Sequence, residues 1–314
     1  MTDLSVTIGS ISWPSPIGLA SGTCGYGEEL ERRVEAIDWS AVGAIFTKGI
    51  SLEPRAGNPP DWAKAPAGRI TEIEYGAVNS IGLANVGIDA FVSDKMPFLR
   101  RWRKRFGGKV IVNIFGETVE EYATLARVLD ETEGVDGVEI NLSCPNVSSG
   151  GIEFGQTAEG CARVTEAVRR ATTKFVVAKL SPLCAIVEVA PATENAGADA
   201  LSIANTLPVL LVDVESHDAT PPLQRGGLSG PALRPIAVRM TYEARKASCL
   251  PVIGIGGIAC ARDALEFILA GATAVQIGTA LFADPDVAAS VRTGIEQYLE
   301  AHQESSLAAI VGGR

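Results

Sequence analysis

The chain has 314 residues, a net charge of −10 and an isoelectric point near 4.9. Such an acidic balance argues against the binding of nucleic-acid phosphates as the main activity. The amino-terminal segment carries Asp3 and neither a basic stretch nor a long apolar run. We therefore expect no signal peptide, no membrane span and a cytoplasmic location.

The cysteines indicate a reduced protein without a metal centre of its own. None of them forms a C-x-x-C pair, so the spacings typical of zinc and iron–sulfur sites are absent. Free thiols are the expectation for a reducing compartment. We expect Cys161, Cys184, Cys249 and Cys260 to be small buried apolar residues.

Short apolar runs alternate with longer helical patterns along the chain. Runs that are apolar throughout are typical of strands covered on both faces. Thr118 followed by Glu121 predicts a capping box at a helix start, whereas Gly197 and Gly271 predict helix ends. The predicted strands are Ile17–Ala20, Ala44–Thr47, Val110–Ile114, Val138–Ile140, Phe175–Lys179, Ala200–Ile203, Val252–Gly254 and Ala274–Ile277.

Eight such strands, each followed by a helix or a long loop, indicate an α/β fold of the closed (β/α)8 TIM-barrel type. An open doubly wound sheet is the main alternative. It is disfavoured because no predicted strand leads into a G-x-G-x-x-G turn with a later acidic residue. Without repeats, low-complexity tracts or a linker, we expect one domain over residues 1–314.

Two long insertions follow predicted strands, from Gly49 to about Ala90 and from Leu207 to Gly230. Both leave the carboxyl ends of strands, the barrel face at which enzymes of this fold carry their chemistry.

Glycine-rich turns follow the last two predicted strands, Gly254–Gly257 and Gln276–Thr279. These are the two loops that barrels use to hold a phosphate group, because glycines let backbone N–H groups approach its oxygens. A helix start near Ala261 would add its dipole. Glycines in either loop alone would indicate only a tight turn, whereas the two loops together predict a phosphate site.

Cys144 directly follows the fourth predicted strand, in the string Asn141–Asn146. This position places it at the catalytic face, where Pro145 stiffens the turn. A lone cysteine is more often a small buried side chain, but a thiol beside a reacting carbon can serve as general base. We interpret Cys144 as functional.

Lysines and asparagines collect at the same predicted face. Lys48 and Lys179 end apolar strands, where a buried ammonium needs an anionic partner; that partner is either a ligand or a structural carboxylate. Amide side chains match the donor and acceptor edges of a pyrimidine or flavin ring, although any one asparagine could be a turn residue. The asparagines concerned are Asn79, Asn113, Asn141, Asn146 and Asn205.

These strings resemble the class 1 dihydroorotate dehydrogenases of pyrimidine synthesis from Pro16 to Ala283, nearly the whole chain. The most specific motif is Asn-x-Ser-Cys-Pro-Asn at 141–146. The other residues and motifs on which the resemblance rests are Ala20–Gly22, Lys48, Arg55–Pro59, Asn79–Leu83, Lys179–Pro182, Asn205–Thr206 and Gly226–Pro231.

The resemblance implies that hydride passes from C6 of dihydroorotate to N5 of FMN while Cys144, the catalytic base, takes the C5 proton. It implies that Lys179 stabilises the reduced flavin anion. The implied substrate-binding residues are Lys48, Asn79, Gly82, Leu83, Asn141, Asn146, Asn205 and Thr206. The implied FMN-binding residues are Ser21, Gly22, Lys48, Asn113, Asn141, Lys179, Gly230, Gly256, Gly257, Gly278 and Thr279.

The stretch Gly226–Pro235 resembles the NAD-linked branch, class 1B. The resemblance implies a partner subunit carrying FAD and a [2Fe–2S] cluster, in a heterotetramer, or else a homodimer of this chain. Alternatives are the fumarate-linked class 1 branch, a dihydropyrimidine dehydrogenase-like flavoenzyme, which usually has histidine at the position of Asn146, and a non-catalytic FMN-binding scaffold.

Departures from the family pattern fall on the substrate and partner face. The segment from Pro59 to Asn79, with Glu72 and Glu74, is longer than expected, and Val86 stands where proline is common. We expect His217 to be an ordinary loop residue.

Overall fold

The computed structural model describes residues 3–33, 37–58, 70–143, 154–212 and 225–313. The strands are β1 (Val6–Ile8), β2 (Ile11–Trp13), β3 (Ile17–Leu19), β4 (Ala44–Phe46), β5 (Ile70–Ile73), β6 (Gly76–Asn79), β7 (Lys109–Ile114), β8 (Gly137–Asn141), β9 (Phe175–Lys179), β10 (Ala200–Ile203), β11 (Leu207–Leu210), β12 (Arg225–Ser229), β13 (Val252–Ile255) and β14 (Ala272–Ile277).

The helices are α1 (Glu28–Glu31), α2 (Gly87–Ala90), α3 (Met96–Phe106), α4 (Val119–Glu131), α5 (Ala158–Ala171), α6 (Ile186–Asn195), α7 (Arg234–Ala247), α8 (Ala261–Leu269) and α9 (Val287–Ala301). A π-helical segment, Phe91–Lys95, joins α2 to α3, and short 3-10 turns include Pro231–Leu233 and Thr279–Phe282. In the part of the chain described, no helix is long and apolar enough to span a membrane.

Eight parallel strands close into a barrel, in the order β3, β4, β7, β8, β9, β10, β13 and β14, with β14 pairing back to β3. Each strand predicted from the sequence coincides with one of them, so the predicted TIM barrel is confirmed. The strands could be recognised because they are buried on both faces. Strands β4, β9 and β10 have no exposed residue, so polar and apolar residues do not alternate along them.

The amino-terminal end of the barrel is covered by the β1–β2 hairpin. Trp13 is buried there, with its ring edge-on to Phe46 at 5.7 Å between centroids. Gly9 turns the hairpin at φ 56°, and a Cβ atom at this position would lie 3.0 Å from the ring of Phe175 at the start of β9. Because the hairpin covers the amino-terminal end of the barrel, we expect a ligand at the opposite end, where the carboxyl ends of the strands lie.

The two insertions pair with each other in a four-stranded antiparallel sheet of order β11-β12-β6-β5. Asn79 of β6 is opposite Gly227 of β12, and Leu207 of β11 is opposite Leu228. Because β11 comes directly after β10, and β6 belongs to the insertion after β4, this sheet lies over the carboxyl ends of the barrel strands. The sequence predicted the insertions but not their pairing.

Helix ends follow the predictions with one correction. Gly197 and Gly271, at φ 93° and 115°, come just after α6 and α8 as expected. Thr118 caps α4 by accepting from the N–H of Glu121 at 3.2 Å. The other half of the capping box was wrong, because the Glu121 carboxylate accepts from the N–H of Glu117 at 2.7 Å instead.

The cysteines divide by burial. Cys161 is buried as predicted and Cys184 is half-buried, but Cys249 and Cys260 are exposed and their predicted burial was wrong. The physical reason is their place in the fold, since Cys249 lies in the turn after α7 and Cys260 caps α8 at the surface. Among the described residues, no group of three His, Cys, Asp or Glu side chains could hold a metal ion.

Candidate active site

The predicted site residues lie at the carboxyl ends of the barrel strands or in the segments joined to the covering sheet. Cys144 and Asn146, and also His217, fall outside the described residues. The others are distributed as follows: Ser21 and Gly22 after β3, Lys48 after β4, Asn79, Gly82 and Leu83 at and after the end of β6, Asn113 in β7, Asn141 at the end of β8, Lys179 at the end of β9, Asn205 and Thr206 after β10, Gly230 after β12, Gly256 and Gly257 after β13, and Gly278 and Thr279 after β14.

A buried carboxylate, Glu139 of β8, joins two of these residues. Its Oε2 accepts from Nδ2 of Asn113 at 2.6 Å and lies 3.5 Å from Nζ of Lys179. Glu139 is fully buried and Lys179 is 4% exposed, so this is an ion pair inside the barrel. A buried charge requires such a partner.

The same carboxylate is held from the opposite side by Gln276 of β14. Nε2 of Gln276 donates to Oε1 of Glu139 at 3.1 Å and to Oγ of Ser202 at 2.9 Å. Room for Gln276 comes from Gly18, where a Cβ atom would lie 3.4 Å from Cγ of Gln276 and 3.1 Å from the ring of Phe46. The floor of the site is therefore a polar layer within an otherwise apolar barrel.

Two buried polar groups in this layer have hydrogen-bonding capacity that the described part of the protein does not use. Lys179 has three N–H donors, yet its one partner among the described residues is Glu139, at a long 3.5 Å. Oε1 of Gln276 is buried and accepts no hydrogen bond there. Since buried polar groups are normally satisfied, both observations point to a polar ligand above this layer.

Amides at the ends of β8 and β10 orient each other. Nδ2 of Asn205 donates to Oδ1 of Asn141 at 3.0 Å, while Oδ1 of Asn205 accepts from the N–H of Thr206 at 2.8 Å. The backbone carbonyl of Asn141 accepts from the hydroxyl of Tyr122 at 2.8 Å. With its Oδ1 used in this way, Asn141 has its Nδ2 group left to donate. In the described part of the chain this Nδ2 has no protein partner, so it can donate to an acceptor on a ligand.

The covering sheet brings Asn79 to the same place. Nδ2 of Asn79 donates to the carbonyl of Gly227 at 3.1 Å. A Cβ atom at Gly227 would lie 2.2 Å from Oγ1 of Thr206 and 3.3 Å from Nδ2 of Asn79. The absent side chain at Gly227 thus lets Asn79 approach Thr206, so the sheet and the barrel share one polar cluster.

The glycine turns form a cradle whose backbone only glycine adopts readily. Gly230, Gly256 and Gly257 have φ of 85°, 135° and 71°. A Cβ atom at Gly257 would lie 2.6 Å from the carbonyl oxygen of Gly230, so these turns touch. The N–H groups of Gly256 and Gly257 donate to no acceptor in the described chain, as a phosphate site requires.

The helix start expected to assist this cradle is capped by a side chain of the helix. The N–H groups of Ala259 and Cys260, just before α8, donate to Oδ2 of Asp263 at 2.9 and 3.1 Å. The contribution of this helix to the phosphate site stays a prediction.

Neighbouring loops fix the remaining predicted residues. The N–H of Lys48 donates to the carbonyl of Gly25 at 2.7 Å, which ties the end of β4 to the loop after β3. Gly82, at φ 73°, packs on Asn58, since a Cβ atom at Gly82 would lie 2.3 Å from Oδ1 of Asn58. Gly82 therefore contacts the 55–58 segment, whereas Leu83 packs against the apolar core.

Three of the residues that depart from the family pattern lie in the described part of the chain, namely Glu72, Glu74 and Val86. Glu72 and Glu74 are exposed on the β5–β6 hairpin. The N–H of Val86 contacts the hydroxyl of Tyr26 at 3.4 Å, a contact that proline could not make.

Cys24 lies close to the polar layer but takes no ligand-facing position. Its Sγ donates to the carbonyl of Phe46 at 3.1 Å, and burial raises the pKa of this thiol far above its ordinary range. It therefore stays an uncharged part of the core.

Sequence reasoning missed Glu139, Gln276 and Ser202. Each is a polar residue inside an otherwise apolar barrel strand, and that interruption is the signal which could have identified them.

Comparison with known proteins agrees with this site. The family model for dihydroorotate dehydrogenase matches residues 3–299. The chain belongs to the dihydroorotate dehydrogenase family. It is 48% identical over 311 residues to a Geotalea daltonii protein, covering 99% of this chain and 97% of that protein. A Geobacter sulfurreducens relative is 51% identical over 298 residues, covering 95% and 93% of the two chains. Both relatives are named dihydroorotate dehydrogenase B (NAD(+)), catalytic subunit.

Proposed function

We propose that this chain is the catalytic subunit of an FMN-dependent, NAD-linked dihydroorotate dehydrogenase, which oxidises dihydroorotate to orotate in pyrimidine biosynthesis. The observation that carries the proposal is the buried Lys179–Glu139–Asn113 cluster, in a barrel whose strand ends also carry a glycine cradle and a set of asparagine side chains. We take residues 1–314 as one FMN-binding domain.

The residues at the strand ends fit FMN. A glycine cradle with unused N–H groups suits its phosphate, while Lys179 and Gln276 supply the unsatisfied donor and acceptor that a flavin ring can meet. The proposed FMN-binding residues are Ser21, Gly22, Lys48, Asn113, Asn141, Lys179, Gly230, Gly256, Gly257, Gly278 and Thr279.

The amides at the strand ends fit dihydroorotate, whose ring edge carries amide groups and a carboxylate. Nδ2 of Asn141 offers a donor whose orientation is set by Asn205. A cation such as Lys48 is the natural partner of the carboxylate. The proposed substrate-binding residues are Lys48, Asn79, Gly82, Leu83, Asn141, Asn146, Asn205 and Thr206.

Cys144 is the proposed general base. Its thiolate takes the C5 proton of dihydroorotate as the C6 hydrogen leaves with its electron pair, and a C5–C6 double bond forms. The chemistry that FMN would supply when bound is that of a hydride acceptor. Cys144 then returns its proton to solvent, so that protons and electrons balance. Positioning by the asparagines keeps both C–H bonds aligned with their acceptors.

The electrons require an acceptor beyond this chain. The relatives' name, catalytic subunit, supports a partner subunit, and we propose one that carries FAD and a [2Fe–2S] cluster and delivers electrons to NAD. Assembly is then a homodimer of this chain or a heterotetramer with that subunit. A fumarate-linked acceptor is the alternative for this last step.

Anaerobic addition of dihydroorotate to the purified protein tests the proposal. We expect a flavin absorbance band that bleaches with dihydroorotate and not with dihydrouracil. Bleaching with dihydrouracil alone would replace the proposal by a dihydropyrimidine dehydrogenase-like activity. A flavin band that neither compound bleaches would favour a non-catalytic scaffold, and a folded protein that binds no added FMN would remove the cofactor.

A further inference from the structure

We propose that Glu139 is a positioning residue that holds Lys179 and Asn113 towards the bound flavin and balances the charge of Lys179, so that it sets the flavin's affinity for electrons. This inference rests on the proposed function, because it requires FMN above the polar layer. Glu139 itself lies within that layer and is proposed to touch neither ligand.

The geometry gives Glu139 a position from which it can orient the residues above it. Its two oxygens face donors from β7, β9 and β14, namely Asn113 at 2.6 Å, Lys179 at 3.5 Å and Gln276 at 3.1 Å. All of these partners donate, so a group that only accepts, the ionised carboxylate, satisfies every one of them. Its fully buried position lets it serve three strands at once.

Asn113 is oriented by this bond. Because its Nδ2 donates to Glu139, its Oδ1 is turned away, and a Cβ atom at Gly49 would lie 2.7 Å from that oxygen. Gly49 follows β4 at the carboxyl end of the barrel. Glu139 thereby presents the acceptor of Asn113, and not its donor, towards the strand ends where the ligand is expected.

Glu139 also supplies the charge that compensates Lys179. Within the described chain it is the one carboxylate in salt-bridge contact with this lysine. The neighbouring thiol of Cys24 remains neutral, because burial raises its pKa. Removing the negative charge would leave an unbalanced ammonium beside the flavin, and a reduced flavin carries more negative charge than an oxidised one. The reduced form would gain most, since electrostatic interactions are strong away from water.

Glu139→Gln tests this with little change of shape. The amide of Gln276 can turn to face the new N–H2 group, because its Oε1 has no partner in the described structure. The measurement is the midpoint potential of the flavin in the holoenzyme, by anaerobic equilibration with a reference dye. We expect a shift to more positive potential relative to wild type. An unchanged or more negative potential would overturn the proposal.

Two further variants separate action through Lys179 from general disturbance. Lys179→Met alone should shift the potential the other way, to a more negative value, because it removes the positive charge and leaves the negative charge of Glu139. A shift to more positive potential in both single variants would refute a role through Lys179. Thr165→Ala is the control, since Thr165 is buried in α5 and its hydroxyl donates to the carbonyl of Cys161 within that helix, outside the polar layer. It should leave the potential where it is in wild type.

A variant that loses its flavin is still informative. FMN titrated into apoprotein, followed by quenching of FMN fluorescence, should then give a dissociation constant about ten-fold or more above wild type for Glu139→Gln and an unchanged one for Thr165→Ala. Equal weakening in both variants would overturn the positioning role. The proposed function fails separately, if wild-type protein binds no FMN or its flavin is not reduced by dihydroorotate.

Discussion

Lys179 illustrates how much a buried charge depends on its immediate neighbours. Its ammonium is 4% exposed and pairs with a fully buried carboxylate. Removing one member of a buried pair leaves the other without compensation, which typically costs about 3–5 kcal/mol of folding free energy. The same lysine is proposed to stabilise the flavin, so that one side chain serves both stability and cofactor binding.

We therefore expect Lys179→Met to lower both properties. Apoprotein should lose about 3–5 kcal/mol in urea unfolding, and FMN affinity should fall. Lys174→Met is the control, because Nζ of Lys174 donates to the carbonyls of Thr132 and Val135 away from the site. It should cost about 1–2 kcal/mol and leave FMN affinity unchanged. Normal flavin loading in Lys179→Met would place that lysine outside the cofactor site.

Cys144 has a different prediction, because its proposed role is chemical. Cys144→Ser replaces a thiol by a hydroxyl that is a far weaker base near neutral pH. The rate of flavin reduction by dihydroorotate, measured by anaerobic stopped flow, should fall by about 100-fold or more with FMN content retained. Cys249→Ser, at an exposed position, should match wild type. A Cys144→Ser rate within two-fold of wild type would remove Cys144 from the mechanism.

Residue by residue, the sequence indicates the side chains that end strands, together with Asn113 inside β7, but misses others that lie inside strands. Lys179 and Asn141 end β9 and β8, next to the loops where ligands bind, and so attract attention. Glu139 and Gln276 lie within strands, and only the closed barrel shows that their side chains meet across its interior. Spacing along the chain does not contain that information.

At the scale of elements, the glycine cradle joins the ends of β12 and β13. Gly257 combines a positive φ of 71° with a close approach to the carbonyl of Gly230. Gly107, at the end of α3, has nearly the same φ, 73°, but a Cβ atom there would meet nothing within 4 Å. Substitutions at Gly257 and Gly107 can therefore be compared to separate the cost of backbone strain from the effect of disrupting the cradle.

Gly107→Ala should cost about 1 kcal/mol of stability, the usual penalty for a side chain at positive φ, and leave FMN binding unchanged. Gly257→Ala should cost more and should also weaken FMN binding, because its Cβ atom would push the two turns apart. Thermal unfolding of the apoprotein and FMN titration measure the two effects. If both variants bind FMN as wild type does, the cradle does not hold the phosphate.

The elements themselves were predictable to different degrees. The barrel strands could be located because burial on both faces makes them apolar throughout. The covering sheet could not, because its pairing joins Asn79 to Gly227, 148 residues away. Nothing local distinguishes β6 and β12 from other short segments, and their pairing depends on where the barrel places the two insertions.

For the whole molecule, closure of the barrel sets which thiols reagents can reach. Cys24 and Cys161 lie in the core, whereas Cys249 and Cys260 are on the outside. Burial raises the pKa of Cys161 to about 12 and that of Cys184 to about 11. At pH 9 these two groups are therefore roughly 99% or more in the unreactive thiol form.

Alkylation at pH 9, followed by peptide mass spectrometry, should accordingly modify Cys249 and Cys260 before Cys24 and Cys161, which stay protected. In urea below the unfolding transition the core thiols should stay protected, and their labelling should follow global unfolding, because β3, β4 and the helices around them share one continuous core. Raising the pH towards 12 ionises the Cys161 thiol, but labelling also requires that the reagent reach it. Labelling of Cys161 at this pH without loss of far-UV circular dichroism would therefore show local opening. Labelling of Cys161 at the rate of Cys260 in native buffer at pH 9 would contradict its buried position in α5.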